Sequence, residues 1–410
     1  MDMDVIVCGA GPAGIAAALA ADANGAKTML IERAGMVGGM ATEGMINVFC
    51  GDASSALYEE IFEKLVVRIG HRKVYDTEEL KAFLLEKLAA SGVHPLQHAA
   101  VFGAKLADGH IDGVQTLENG GVREHRAGIY IDCTGNGDLA AACGVPYTLG
   151  RETDGAMQPV TVYVRIGGID TAAYRKHVES EGEALQKALT EAGRRGELAP
   201  EACALRLIPE KREGYINLNM TNALGIDGTS SEELTCAEWH CRMQIPGILS
   251  FIRRNVQGCG NAYVVQTGAY AGIRESRHFR AAYMLHEDDL AEGKIFEDWC
   301  VSNAQNAFNV HNMSGAGVDQ TGKSCANRYT IPYRSLRAEG VSNLLLAGRN
   351  IGGTHMAHSS YRVMPICMAM GQAAGTAAAM AAKEQCAPGE INVAALQKKL
   401  TAQGVCAPSA

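Results

Sequence analysis

Gly9, Gly11 and Gly14 stand at the spacing Gly-x-Gly-x-x-Gly, with Pro12 and Ala13 inside the motif. That spacing suits one task, bringing a pyrophosphate against the first turn of a helix. There, free N–H groups and the helix dipole offset the phosphate charge. Gly9 permits the sharp turn, Gly11 lets backbone approach the phosphates, and Gly14 lets the helix pack close to the strand. The preceding run, Asp4 to Cys8, is nearly all apolar, as expected of a parallel strand covered on both faces. An alanine-rich helix to Asn24-Gly25 and a strand from Lys27 to Glu32 complete one βαβ unit. Glu32, eighteen residues beyond Gly14, ends that strand. A carboxylate there accepts both ribose hydroxyls of an adenosine half and repels a 2′-phosphate. Arg33, its neighbour, either lies over the adenine or is solvated. A dinucleotide ligand is the expectation.

The same fingerprint serves NAD and FAD, so later segments decide between them. Gly38-Gly39-Met40-Ala41-Thr42 follows Glu32 where flavoproteins run backbone along the phosphates and the flavin, and an NAD-only dehydrogenase has no need of it. Ile129 to Gly135 reads as a strand ending in Thr134-Gly135, and Leu344 to Gly348 as a third such strand. Pro365 suits the opening of the next helix, whose N-terminus would face the flavin N1–C2 edge and stabilise the negative charge of reduced flavin. In this order the segments predict FAD, held non-covalently.

With these segments in place, the sequence resembles the FAD-dependent oxidoreductase family of bacterial flavoproteins, within the glutathione-reductase-like FAD-binding superfamily. The resemblance runs from Gly9–Gly14 with Glu32 and Gly38-Gly39 through residues 132–140, 144–151 with Asp154-Gly155 and Gln158-Pro159, Gly272 to Arg277, Ile331 to Leu336 and Ala347 to Arg349. It ends on Thr354-His355 and the segment from Arg362 to Gly375. It departs from the family pattern at Asn136, where Asp is usual, and at Asn350, where Cys is frequent. The resemblance adds Val101, Thr134, Gly135, Asp138, Gly348, Arg349, Asn350, Arg362, Val363 and Met364 to the residues expected around the cofactor. Asp138 is read as a structural cap or a hydrogen bond on the FAD side.

A flavin exchanges a hydride at N5, so a substrate must lie over the ring beside an acid or base. Motif context and resemblance together nominate Arg274, Arg277, His311, Tyr333, His355 and His358. One of the two arginines in Gly272 to Arg277 would grip a substrate carboxylate bidentately, or both make structural ion pairs. His355 and His358, read in a Gly- and Ser-rich loop, would act as acid/base, bond the flavin or hold the loop. His311, beside Asn312, closes over the substrate or is plain loop polarity. No second Gly-x-Gly-x-x-Gly unit for a nicotinamide follows a strand. Reducing equivalents would then come from the substrate, a transiently bound nicotinamide or a partner protein.

The architecture that must position these residues reads as α/β. A Rossmann-like FAD-binding domain with a parallel sheet and β-meander is formed by residues 1–150 and 331–385. A mixed α+β substrate domain, 151–330, is inserted in it, and 386–410 form a helical tail. Hairpin turns are expected at Asp108-Gly109 and Asn119 to Gly121, and helices at about 171–192 and 232–253. The chain has 410 residues, 47% hydrophobic and 20% charged, with a formal charge of −8 and no long basic run. That argues against nucleic acid or an anionic membrane as partner. Thirteen cysteines lie singly, with no Cys-x-x-Cys, which argues against an iron–sulfur cluster, a zinc ribbon or a redox dithiol. No signal peptide is expected, and cytoplasmic location is expected too, with a small organic substrate and a homodimer compatible. Two other readings stand beside a hydride-transferring enzyme: an electron-transfer flavoprotein subunit, and a non-redox, NAD-retaining protein like thiazole synthase.

Overall fold

The computed structural model describes residues 3–319, 322–326 and 328–408. The remaining positions of the 151–330 and 386–410 spans lie outside the described residues. Strand β1 (Met3–Cys8) leads into helix α1 (Pro12–Ala23), and β2 (Thr28–Ile31) follows. Then come α2 (Ala56–Leu65), α3 (Thr77–Ala89) and β3 (His94–Leu96). A three-stranded antiparallel meander, β4 (Ala100–Ala107), β5 (His110–Glu118) and β6 (Gly121–His125), precedes β7 (Ala127–Asp132). Its turns fall at the expected Asp108-Gly109 and Asn119-Gly120 positions, and Asp108 takes a positive φ of 51°.

After α4 (Asp138–Ala142) comes a four-stranded antiparallel sheet. Its strands are β8 (Val164–Gly167), β9 (Leu207–Pro209), β10 (Tyr215–Leu218) and β11 (Tyr263–Thr267). Helices α5 (Thr171–Arg194) and α6 (Ser231–Asn255) pack on it. The chain returns through β12 (Trp299–Ala304), β13 (Tyr329–Pro332) and β14 (Leu344–Leu346). It closes with α7 (His355–Tyr361), α8 (Met364–Glu384) and α9 (Val393–Ala402).

The central sheet is parallel, in the order β14-β7-β1-β2-β3. Its inner strands are apolar on both faces because both are covered, and Val5, Ile6 and Val7 are wholly buried. Cys8 is paired in register with both Ile31 and Asp132, so the carboxyl ends of three strands finish side by side. Ligands of open α/β sheets lodge at such an edge.

Among the described residues two large cores are built, beside two small apolar clusters around Val160 and Met45. The larger gathers residues from 3 to 405, and the second is confined to residues 164–262. Phe279, Leu285, Val301 and Tyr329 belong to the larger core, so the second is shorter than the 151–330 span read from sequence. The alanine-rich helices reflect crowding. Beside Gly371 and Gly375 of α8, an added Cβ would stand 2.0 Å from the carbonyl oxygens of Ala13 and Ala17 of α1. Glycine at both positions lets the helix backbones touch. Among the described residues no single helix is long and apolar enough to cross a membrane; α7 and α8 pass that test only as a pair bent by 93°. All thirteen cysteines are free.

Candidate active site

One cavity of about 400 Å³ runs from the Gly9 turn at the sheet edge to the face of the second core. Its outer end is built by β1, α1 and β2. Gly9, at φ +94°, turns the chain where an added Cβ would stand 2.5 Å from the Cys133 carbonyl oxygen. Gly11 faces open space, with nothing within 4 Å of where a Cβ would project, and it caps α1 without any side-chain bond. Gly14 lies back against Gly9, the close helix–strand packing that its position predicts. Glu32 lines the cavity, its two carboxylate oxygens accepting the N–H groups of Ala10 (2.7 Å) and Ala34 (2.8 Å). Each oxygen keeps a second lone pair for a ribose hydroxyl. Arg33 lines the same wall, with its guanidinium carbon 5.6 Å from the Tyr270 ring centroid.

The next segment divides its labour. Gly39 and Met40 line the cavity. Gly38, Ala41 and Thr42 do not; they shape the turn behind it. The Thr42 hydroxyl donates to the Val37 carbonyl at 2.7 Å, and the Gly38 N–H donates to the Ala10 carbonyl. Val101 at the start of the meander also lines the cavity, as do Thr134, Gly135 and Asp138 beyond β7. Asp132 holds that turn. Its Oδ1 accepts from Thr134 N–H and Oγ1–H, and its Oδ2 accepts from Ala140 N–H. Burial pushes its carboxyl up to about 6 against those hydrogen bonds.

Gly348 and Arg349 line the cavity after β14, whereas Asn350 is buried behind them and donates to the Asp132 carbonyl at 3.0 Å. Arg349 is tied to the carbonyls of Gly135 (2.8 Å) and Ile273 (2.5 Å) and to Asn136 Oδ1 (2.6 Å). Asn136 thus serves as a neutral partner for a buried guanidinium. Arg362, Val363 and Met364 bring the start of α8 to the cavity, and Val363 caps that helix without a side-chain bond.

Two helix N-termini therefore open, uncapped by side chains, into one cavity. A flavin dinucleotide carries a pyrophosphate for the first and an N1–C2 edge that becomes anionic on reduction for the second. Its ribose would meet Glu32. The residues present fit FAD.

The sequence model of the FAD dependent oxidoreductase family matches residues 4–400. The chain belongs to that family. FAD is its cofactor, and its chemistry is that of an oxidoreductase. No curated protein matches the chain. Among solved structures it is similar to a geranylgeranyl bacteriochlorophyll reductase-like protein from Thermoplasma acidophilum, with a TM-score of 0.52 at 13% identity. That likeness covers 98% of this chain and 84% of that one and shows the shared Rossmann-type fold. It is also similar to p-nitrophenol 4-monooxygenase from Pseudomonas putida, at a TM-score of 0.49 and 12% identity, over 98% and 85% of the two chains.

The inner end of the cavity is charged. Arg274 donates to the Pro159 carbonyl, to Thr161 Oγ1 (2.7 Å) and to Asn219 Oδ1 (3.3 Å), all neutral acceptors. Burial, reinforced by Arg362 and Arg206, pushes its guanidinium down to about 9. Arg362 donates to Asn309 O (3.0 Å) and Gln158 Oε1 (3.3 Å), while its buried Nε has no partner. His311 lines the same end and contacts Arg206. Burial, with the three arginines adding to it, holds its imidazole far below the usual range.

The structure does not bring the remaining candidates to the cavity. His355 and His358 sit on helix α7, not in a loop, because Thr354 caps that helix by accepting the Ala357 N–H. His355 pairs through Nδ1 with Glu275 Oε1 at 2.5 Å. His358 packs edge-to-face on His278, with ring centroids 4.9 Å apart, and burial pushes its pKa down. Glu275 also accepts from His278 at 2.8 Å; burial opposes its ionisation, yet these hydrogen bonds hold the carboxyl below the usual range. Tyr333 is buried and donates its hydroxyl to the Pro388 carbonyl at 2.8 Å. Arg277 does not itself line the cavity but sits behind two residues that do, pairing with Asp138 (3.1 Å) and donating to the Asn136 carbonyl (3.1 Å). Sequence reasoning missed Arg206, Tyr163, Asn219, Tyr270 and Asn309. No motif marks them, and only folding of the second sheet against the first brings them together.

Proposed function

We propose that this FAD-dependent oxidoreductase exchanges a hydride with a small organic carboxylate held at the inner end of the cavity. One observation carries the reading: Arg274 is enclosed, lines the cavity and has only neutral partners. An unpaired buried cation costs several kcal/mol, so an anion is the natural complement. When bound, FAD supplies the two-electron acceptor or donor. Arg274 would orient the carboxylate, with Arg362 adding a second cation, and Tyr163 and Asn309 would close the wall around it. The cavity's reach past the start of α8 to this end supports an enzyme over an electron-relay subunit, which has no use for an enclosed cationic recess.

The test is an anaerobic survey of small 2-hydroxy, 2-amino and unsaturated acids beside their amides and esters, read as change of the flavin band near about 450 nm. Acids are expected to react and their neutral analogues to fail. Arg274→Gln should lower kcat/KM for the reactive acid at least about a hundredfold, since it removes one partner of a buried charge pair. Equal reaction of neutral analogues sinks the reading.

A further inference from the structure

Three buried histidines gather around one buried carboxylate, and none of the four side chains lines the cavity. Glu275 and His278 stand three residues apart in the segment after β11, and His355 and His358 three apart on α7. Each is at most 3% exposed. Glu275 Oε1 meets His278 Nε2 at 2.8 Å and His355 Nδ1 at 2.5 Å, and Glu275 Oε2 accepts the Gln158 N–H at 3.1 Å. The His358 ring stands edge-to-face on His278. Nδ1 of His278 and Nδ1 of His358 are both buried without a partner. Buried polar atoms are nearly always paired, and an ion is one of the few explanations for an exception. One oxygen of Glu275 and one nitrogen from each of His278 and His358 lie within 4.8 Å of one another. We infer that Glu275, His278 and His358 hold a zinc ion at a site separate from the flavin cavity, with His355 hydrogen-bonded to Glu275 beside it.

The spacing suits an ion. Donors about 2.0–2.2 Å from one tetrahedral zinc stand roughly 3.3–3.6 Å apart. The 2.8 Å of the Glu275–His278 pair and the 4.8 Å limit of the set bracket that figure. Two imidazoles and one carboxylate, with no thiol among them, are a donor set that zinc accepts. Charge is met as well. Glu275 lies among the ligands, and Glu152 Oε1 accepts the His355 N–H at 2.7 Å, so two carboxylates stand by a divalent cation. The ligands come from two places in the chain: Glu275 follows Arg274 directly, and His358 lies one turn before Arg362, which caps the end of α7. The ion therefore clamps together the segments that carry the two arginines of the cavity's inner end.

The test needs no substrate and does not depend on the carboxylate reading. FAD-loaded protein from a zinc-supplemented culture is passed over a chelating resin, and zinc per chain is measured by plasma emission. About one equivalent is expected, the occupancy of a single closed structural site. Less than about a tenth of an equivalent overturns the inference. His278→Gln and His358→Gln should each lower bound zinc at least about tenfold, as loss of one of three protein ligands requires. The flavin-to-protein ratio shows whether each variant has folded, and a folded variant that keeps its zinc also overturns the inference. The exposed Cys50, Cys236 and Cys406 are the competing holders of zinc. X-ray absorption at the zinc edge of the wild-type protein separates them without any variant. Nitrogen and oxygen neighbours at about 2.0–2.2 Å with the outer scattering of imidazole are expected, and a sulfur shell at about 2.3 Å would place the ion on cysteine instead.

Discussion

Gly371 of α8 lies so close to α1 that a Cβ on it would stand 2.0 Å from the Ala13 carbonyl oxygen. Real Cβ atoms do not approach backbone that closely, so any side chain at 371 pushes two helices apart. Those are the helices whose uncapped N-termini share the cavity. Gly371→Val is expected to cost about 1–3 kcal/mol as overpacking. It should also lower the ratio of bound FAD to protein in the purified sample. Thermal unfolding and flavin absorbance measure both. An unchanged ratio at unchanged Tm would show that the helix pair does not set the cofactor site.

Glu32 has a double role at the other end. Its carboxylate holds the N–H groups of Ala10 and Ala34, so it fixes the glycine turn as well as offering lone pairs to the cavity. Glu32→Ala strips both N–H groups of their acceptor, at about 1.5–3 kcal/mol for each bond to a charged group. FAD affinity, read by reconstitution of the apoprotein, should fall tenfold or more. Retention of wild-type affinity would place the adenosine half elsewhere.

The outer half of the site was legible because backbone demands leave local marks. A turn at φ +94° and a helix packed on a strand both require glycine, and Gly9 and Gly14 say so at a fixed distance from Glu32. The inner half left no such mark. Arg274 sat in a recognisable motif, but Arg206 and Asn219 reach the region only because the four-stranded sheet folds over the first core. The misreading of His355 and His358 has a local cause. Gly352-Gly353 signalled a loop, and Thr354 ends it as an N-cap, so both histidines face inward on a buried helix toward Glu275 and His278.

Tyr333 separates packing from chemistry. Its hydroxyl donates to the Pro388 carbonyl, joining the turn after β13 to the segment before α9. Tyr333→Phe leaves that carbonyl without its donor and should cost about 1 kcal/mol of stability. Steady-state kinetics with the acid found by the survey should match wild type. A large fall in kcat without loss of stability would return Tyr333 to the list of reacting groups.

Asp132 offers a pH test with a definite sign. It is wholly buried at the end of β7, and burial raises its carboxyl from the ordinary 3.8 to about 6 although three N–H and O–H donors converge on it. The folded chain therefore binds this proton more tightly than the unfolded chain. The stability Asp132 contributes is fully present below about pH 3.8 and is lost as pH rises through about 6. A shift of this size corresponds to on the order of 3 kcal/mol. Asp132→Asn cannot titrate, and it replaces one acceptor oxygen with a donor, so it should be less stable at acidic pH. Between about pH 4 and pH 7 the gap between the two proteins, measured by urea unfolding, should shrink by that amount. Groups common to both proteins cancel in the difference. A gap that stays constant would mean that the Thr134 and Ala140 donors, with the bound cofactor beside them, hold Asp132 ionised at no cost to the fold.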